Sequence, residues 1–446
     1  MTKTREIIHG DLKKIFFNYL IPSIGGMLGT SLYVLGDTMI VGRGLGPSGL
    51  AALNLSIPLI NVFNGFGLLF GIGGSTAFSV DRGKGQTENL NRIFTKSMLF
   101  SFIVGVILTL IRVFFLDELC HFLGAKGEIF DMSRDYLGML MSFSIFFLCN
   151  TTLMIFVRND GSPKIAMASM LTGSVINVIL DYVFIIQWDW GMKGGALATG
   201  LSPIIGLFIL SRHFLSKKHS IHLERLQGSF GQIKRLLTNG IPSFIVECSA
   251  GLVIFAFNQR LLGLAGEKAV ASYSIIANLS LIATAIFTGV GQGIQPIVSV
   301  NYGADNRQRF TRTVRMGILT SLLLGIVFYS IGLFFPQVLI AIFLRGNSEI
   351  VDLTTTGIRI YFLSFLFMGI NIVLTSYIQS KEEAKASFII SLLRGLILVL
   401  LFLFLLPKFM GINGVWWTLP LTEVFTLLLS IFLFSKIRRV WISFER

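Results

Sequence analysis

The stretch Gly71-Ile72-Gly73-Gly74-Ser75-Thr76-Ala77-Phe78-Ser79-Val80-Asp81-Arg82-Gly83 returns 220 residues later, opening as Gly291-Gln292-Gly293 and closing as Ser299-Val300-Asn301-Tyr302-Gly303. Around that shift Ile21-Pro22-Ser23 returns as Ile241-Pro242-Ser243, and Gly44-Leu45-Gly46-Pro47 returns loosely as Gly263-Leu264-Ala265-Gly266. Gly195 and Thr199 face Gly414 and Thr418 at nearly the same offset. Each match is weak alone, but four at one shift mark an internal duplication. The repeated stretch is apolar and glycine-rich, with its polar residues gathered at the end, as in a segment leaving a membrane.

Composition agrees. The chain has 446 residues, 53% hydrophobic and 13% charged, with a mean hydropathy of +0.76. Soluble domains carry about 25% charge, so a soluble enzyme, a disordered chain and a disulfide scaffold are all excluded. Apolar runs recur near 15–42, 48–79, 93–115, 135–157, 164–187, 194–211, 236–259, 269–299, 314–335, 353–379, 386–406 and 414–435. Each has the length of a membrane-crossing helix. The expected fold is an all-α polytopic membrane protein of twelve transmembrane helices in two pseudo-symmetric six-helix lobes. The first lobe would span 1–215, a charged linker 216–234, and the second lobe 235–446. Six spans per half make the repeat parallel, a layout found in secondary transporters that handle substrate between the halves.

An even span count puts both termini on one side of the membrane, and basic residues choose the side. By the loop assignment, about 26 of the 37 basic residues fall with the termini and about 10 on the other side, so both termini are expected in the cytoplasm. The net charge of +14 follows this topology rule, and no nucleic-acid partner is expected. The first apolar run is too long for a signal-peptide core, so no cleavable signal is expected.

An ionisable side chain in hydrocarbon costs at least ~2.5–3.5 kcal/mol and is a functional candidate by default. The chain places Asp37, Asp181, Glu247, Arg394 and Glu423 in its spans, with Asn177, Thr199, Asn258, Gln292, Gln295 and Asn371 as neutral company. Counted at 1.5 Å per residue from Arg43, Trp188 and Lys193, the residues Asp37, Asp181 and Thr199 all lie roughly 9–10 Å below the outer boundary. Asn177 precedes Asp181 by four residues and shares its helix face. Two carboxylates, an amide oxygen and a hydroxyl thus converge at one depth. Such oxygens suit a hard cation, and a buried carboxylate can instead hold a proton. Asp37, Asn177, Asp181 and Thr199 are therefore the candidate site for a coupling cation, Na⁺ or H⁺. Their repeat partners are apolar or neutral, which confines this chemistry to the first lobe.

Glu247, Arg394 and Glu423 count to mid-membrane and admit two readings. Glu247 or Glu423 could be a cavity acid that attracts a cationic substrate, or an acid paired with Arg394 within the second lobe. Pro22 and Pro242 open the first segment of each half, where proline removes a helix hydrogen bond and permits a hinge. The glycine clusters of the second and eighth runs imitate nucleotide loops but follow no strand, so close helix packing is expected. His213, His219 and His222 read as a solvated basic linker. Cys120, Cys149 and Cys248 read as apolar filler without metal or disulfide spacing. No P-loop and no catalytic dyad or triad occurs, so the chain is not expected to be an enzyme or to hold a cofactor beyond the coupling cation.

Over nearly its whole length the chain resembles the multidrug and toxic compound extrusion transporters. The resemblance is carried by Pro22 with Asp37-Thr38-Met39-Ile40-Val41-Gly42, by Asn177-Val178-Ile179-Leu180-Asp181, and by Gly195-Ala196-Leu197-Ala198-Thr199. The stretches Gly291-Gln292-Gly293-Ile294-Gln295-Pro296 and Arg158-Asn159-Asp160-Gly161-Ser162-Pro163 add to it. It implies a twelve-helix antiporter in the cell membrane, monomeric, that expels amphipathic, typically cationic, drugs or toxic organic compounds in exchange for Na⁺ or H⁺. It further implies that Asp37 binds the coupling ion, that the first helix bends at Pro22, and that Glu247 serves as a second-lobe acid. Pro22, Glu247, Gln292 and Arg394 are the substrate or gating candidates. In the tenth segment some members carry an aspartate, and this chain has Asn371. The alternative is a lipid-linked oligosaccharide flippase of the same superfamily, which would line its cavity with several cations where this chain offers Arg394.

Overall fold

The computed structural model describes residues 2–215, 219–225, 230–343 and 348–433. Long apolar runs become helices because in hydrocarbon every backbone N–H and C=O must be satisfied within its own segment. Among the described residues nine helices are long and apolar enough to cross a membrane, and the pair Glu128–Ser142 and Ser144–Asn159, bent by 53°, makes a tenth crossing. Two of the nine are too long to cross once. Leu12–Gly83 has 72 residues, about 108 Å at 1.5 Å per residue against roughly 30 Å of hydrocarbon. It turns back at Gly46, and Phe230–Gly303 turns back at Ala265 and Gly266. The crossings therefore number twelve.

They are span 1 (12–45), span 2 (47–83), span 3 (Leu90–Phe122), span 4 (128–159), span 5 (Pro163–Gln187) and span 6 (Gly191–Leu215). The second half follows as span 7 (230–264), span 8 (267–303), span 9 (Arg307–Phe334), span 10 (Glu349–Ser380), span 11 (Ala384–Met410) and span 12 (Ile412–Phe432). A short helix, Thr2–His9, precedes them.

The duplication is written in the backbone more plainly than in the side chains. Gly46 (φ 66°) and Gly266 (φ 68°) turn the chain between the first two spans of each half with nearly the same angles. Gly85 and Asp305, Gly161 and Glu382, and Gly191 and Gly411 are likewise paired left-handed residues, 220 or 221 positions apart. Left-handed backbone favours glycine because other side chains crowd the following carbonyl. Asp305 and Glu382 hold it without that relief.

The lobes meet at the end that carries the N-terminal helix. A Cβ on Gly73 would strike the Leu236 carbonyl, one on Gly240 the Leu69 carbonyl, and one on Gly83 or Gly303 the carbonyl of Val300 or Val80. These glycines let backbone touch backbone across the two lobes, as expected for close packing rather than nucleotide binding. Phe16 and Leu20 of span 1 join Val290, Ile294 and Val298 of span 8 in one apolar core across the same contact. Polar groups seal it. Arg235 donates to both carboxylate oxygens of Asp81 at 2.8 Å, Asn159 to Gln295 at 3.2 Å, and Gln295 to Thr76 at 3.0 Å. Among the described residues, the hydrogen bonds between lobes all gather toward this basic face. The N-terminal helix straddles it: Lys3 donates to Ser162 of the first lobe, while Arg309 of the second donates to the carbonyls of Ile7 and Gly10.

Candidate functional site

Span 1 lies along span 5 on a stripe of glycines. Gly25 and Gly26 face Met167 and Met170, Gly29 faces Leu171, and Gly36 faces Val178. This close seam carries Asp37 against the far end of span 5. There the α-helix ends at Asp181 and a π turn, Tyr182–Gln187, follows at once. Such turns are frequent at functional sites because they re-aim neighbouring side chains.

The four residues expected to converge do so. Asp181 is 0% exposed, Asn177 1%, and Asp37 and Thr199 7% each. The Asp37 and Asp181 carboxyl groups are close neighbours. Two ionised carboxylates repel at that range, so the contact calls for a shared proton or a cation between them. One orientation of the Asn177 amide satisfies its neighbours. Its nitrogen donates to Asp181 Oδ2 at 3.1 Å, and its oxygen accepts from the Thr199 hydroxyl at 3.3 Å and the Thr199 N–H at 3.2 Å. The Oδ1 atoms of both aspartates are buried without a hydrogen-bond partner. Gly195 packs span 6 on the π turn, since a Cβ there would press on Ile185 Cδ1 at 3.1 Å, with Asp181 Oδ1 next to it at 3.9 Å.

This donor set fits one small positive charge. Among the described residues no group of three His, Cys, Asp or Glu side chains could hold a metal ion. Two carboxylates with neutral oxygens suit a proton or a monovalent cation instead. Sequence reasoning missed two neighbours, Tyr33 and Tyr136, whose hydroxyls lie within electrostatic range of both carboxyls. Tyr33 stands four residues before Asp37, on its helix face, and that spacing is a usable signal. Tyr136 comes from span 4, whose facing could not be read.

The second lobe resolves the open readings. Arg394 Nε lies 2.9 and 3.0 Å from the two Glu423 oxygens and its Nη2 2.9 Å from Oε1, while Asn371 donates to Glu423 Oε2 at 2.7 Å. Arg394 and Glu423 are thus an intramembrane ion pair. Glu247 is half-buried and, among the described residues, has neither an ion-pair nor a hydrogen-bond partner, so it is not paired with Arg394. Gln292 accepts from Arg158 Nη1 at 2.5 Å across the lobe contact. Pro22 is buried in span 1, where the helix continues through it.

One reading is corrected. His213 is not in a solvated linker: it closes span 6, is 0% exposed, and places Nε2 2.8 Å from Asp160 Oδ2. His222 bonds Asn91, so the described part of the linker, 219–225, is strapped to the first lobe. Asp160 also receives Arg82 at 3.1 Å and both the N–H and hydroxyl of Ser220. Burial opposes its ionisation, but the bonds from His213, Arg82 and Ser220 prevail and hold its carboxyl below the ordinary value of 3.8.

The MatE family model matches residues 22–183 and again 242–405, so its two blocks open at the paired prolines Pro22 and Pro242. The chain belongs to the MatE family. Its relatives include the multidrug export protein MepA of Staphylococcus saprophyticus, 26% identical over 98% of this chain and 97% of the relative. A multidrug resistance MATE transporter solved in an outward-facing conformation shares the fold, with a TM-score of 0.92 at 23% identity and full coverage of both chains. The MATE multidrug transporter DinF-BH, solved as a complex, has a TM-score of 0.88 at 26% identity over 96% of each chain. This MatE chain is accordingly an all-α membrane transporter of two six-helix lobes.

Proposed function

We propose that this MatE chain is a secondary active antiporter that expels drug-like organic compounds, typically amphipathic and cationic, in exchange for Na⁺ or H⁺. The buried, adjacent Asp37–Asp181 pair, with Asn177 and Thr199 behind it, carries this reading. The basic face is the cytoplasmic one, with both termini inside the cell, and the chain works as a monomer in the cell membrane. Its lobes run over 1–215 and 235–446 about the linker 216–234; within them residues 1, 216–218, 226–229, 344–347 and 434–446 fall outside those described. Sealed on the basic face, the molecule presents its first-lobe site to the exterior. A cation arriving at Asp37 and Asp181 changes how span 1 lies on the glycine seam above Pro22, and substrate leaves. The lobes then rock, open the basic face and discharge the ion inward. Coupling holds because ion and substrate favour different states, and a ligand with equal affinity for both would shift nothing.

The relatives named for multidrug export and the multidrug transporter DinF-BH support the substrate class. The flippase alternative loses ground, because Arg394, its expected cavity cation, is committed to Glu423. Reconstituted protein tests the reading: dye efflux is driven by an imposed Na⁺ or pH gradient, and Asp37→Asn abolishes it while membrane insertion persists. Normal gradient-driven efflux by Asp37→Asn overturns the assignment.

A further inference from the structure

The repeat sets spans 11 and 12 in the places that spans 5 and 6 hold in the first lobe. Each pair carries a polar cluster, and each cluster adjoins a π turn, Tyr182–Gln187 after Asp181 in span 5 and Leu393–Ile397 around Arg394 in span 11. Glu423 stands little more than one helical turn beyond Thr418, the repeat partner of Thr199. The two clusters differ in how their acids are satisfied. In the first lobe Asp37 Oδ1 and Asp181 Oδ1 lack partners. In the second, Arg394 and Asn371 occupy both Glu423 oxygens, and Glu423 is 1% exposed. Around the pair, Asn371 Oδ1 is buried without a partner, as are the hydroxyls of Thr426, three residues after Glu423, and Ser391, three before Arg394. These are neutral oxygens of the sort a small cation uses; Asn371 touches the acid directly, and the two hydroxyls lie one helical turn in sequence from Glu423 and from Arg394.

We propose that Arg394 is a tethered cation: its guanidinium permanently fills a second-lobe acid site, so this chain exchanges ions in the first lobe only. A merely structural ion pair would leave a stranded acid when broken. A tethered cation leaves a site that a mobile positive charge can refill. The inference builds on the first-lobe reading, so its test is run without that site. In an Asp37→Asn/Asp181→Asn background, Arg394→Gln is expected to gain a metal-cation response: Na⁺, Li⁺ or K⁺ at fixed pH raises the Tm saturably by about 2–8 °C. Adding Glu423→Gln removes the rise. No rise, with Glu423 merely protonated as any stranded buried acid would be, overturns the proposal.

A second measurement keeps Arg394 and does not depend on how well Arg394→Gln folds. In Asp37→Asn/Asp181→Asn protein with Arg394 intact, no cation-dependent Tm rise is expected. A rise that Glu423→Gln abolishes overturns the proposal. Failure of the first-lobe reading shows separately, as a cation response of the unsubstituted protein that Asp37→Asn leaves unchanged.

Discussion

Arg235→Gln is expected to unlock the basic face. Arg235 clasps Asp81 of the first lobe with two bonds of 2.8 Å and Glu382 of its own lobe at 2.6 and 2.9 Å. The Asp81 side chain is 2% exposed and that of Arg235 28%. Removing one partner of a fully buried pair costs about 3–5 kcal/mol, whereas exposed pairs contribute about 0.2–1 kcal/mol. With one partner buried and the other a quarter exposed, the loss falls at about 2–3 kcal/mol. That energy is stored only while the lobes touch at this face. At 1.4 kcal/mol per decade, the ratio of closed to open molecules therefore drops roughly 30- to 150-fold.

Ser75 reports the change, being 0% exposed behind the seal, with Gln295 donating to it at 3.4 Å. In a chain whose three native cysteines are replaced, Ser75→Cys is labelled with a membrane-impermeant maleimide in vesicles of each orientation. Arg235→Gln should speed labelling from the basic face by roughly 30- to 150-fold, and not from the opposite face. Adding Asp81→Asn and Glu382→Gln removes the stranded charges and returns most of the difference. An unchanged rate, or an equal rise from both faces, refutes the reasoning.

Other outcomes follow from the same geometry. Asn177→Ala removes the donor to Asp181 Oδ2, worth about 1–3 kcal/mol for a buried partner; the bare carboxylate then holds a positive charge more tightly, and the ion concentration for half-maximal efflux falls roughly 5- to 150-fold. Gly303→Ala drives a Cβ into the Val80 carbonyl, which is backbone and cannot swing aside, so it too speeds Ser75→Cys labelling from the basic face. Asp160 titrates below its ordinary value of 3.8, so its stabilisation is complete above that pH and is lost as pH falls through the lower folded value. The Tm advantage of the unsubstituted protein over Asp160→Asn should therefore persist at neutral pH and vanish in strong acid.

Depth was legible in the sequence and facing was not. Counting residues from a charged flank put Asp37, Asp181 and Thr199 at one level, because helical rise is constant and the bilayer edge is a common origin. The i, i+4 spacing then placed Asn177 on the Asp181 face. The same count put Glu247, Arg394 and Glu423 at mid-membrane, yet which of them meet depends on how spans 7, 11 and 12 are rotated, and each is apolar on most sides. His213 failed for another reason. It sits beside Lys217 and Lys218 in the sequence, and composition cannot see that span 6 ends against the turn after span 4. Arg158 was passed over inside that turn, although it is 2% exposed and binds across the lobes.

The duplication also separates scaffold from function. Positions that keep their conformation in both halves, such as Gly46 and Gly266, serve the shared architecture, and their residues stay small. Where a half departs from that economy, something else must hold the departure in place. Gly161 has as its partner Glu382, which adopts φ 60° without being glycine, a conformation costing about 1–2 kcal/mol. The side chain gained by that strain accepts from Arg235 and from Asn239 at 2.8 Å, and Arg235 reaches Asp81 in the opposite lobe. The second half thus adds an acid of its own to the seal at the basic face, beside Asp81 of the first half, while Asp37 and Asp181 have no acidic counterpart at the matching positions of the second half. Replacing Glu382 with glycine should therefore relieve backbone strain and weaken closure together. The expected result is faster Ser75→Cys labelling from the basic face with little loss of Tm, a pairing that simple unfolding of the turn would not produce.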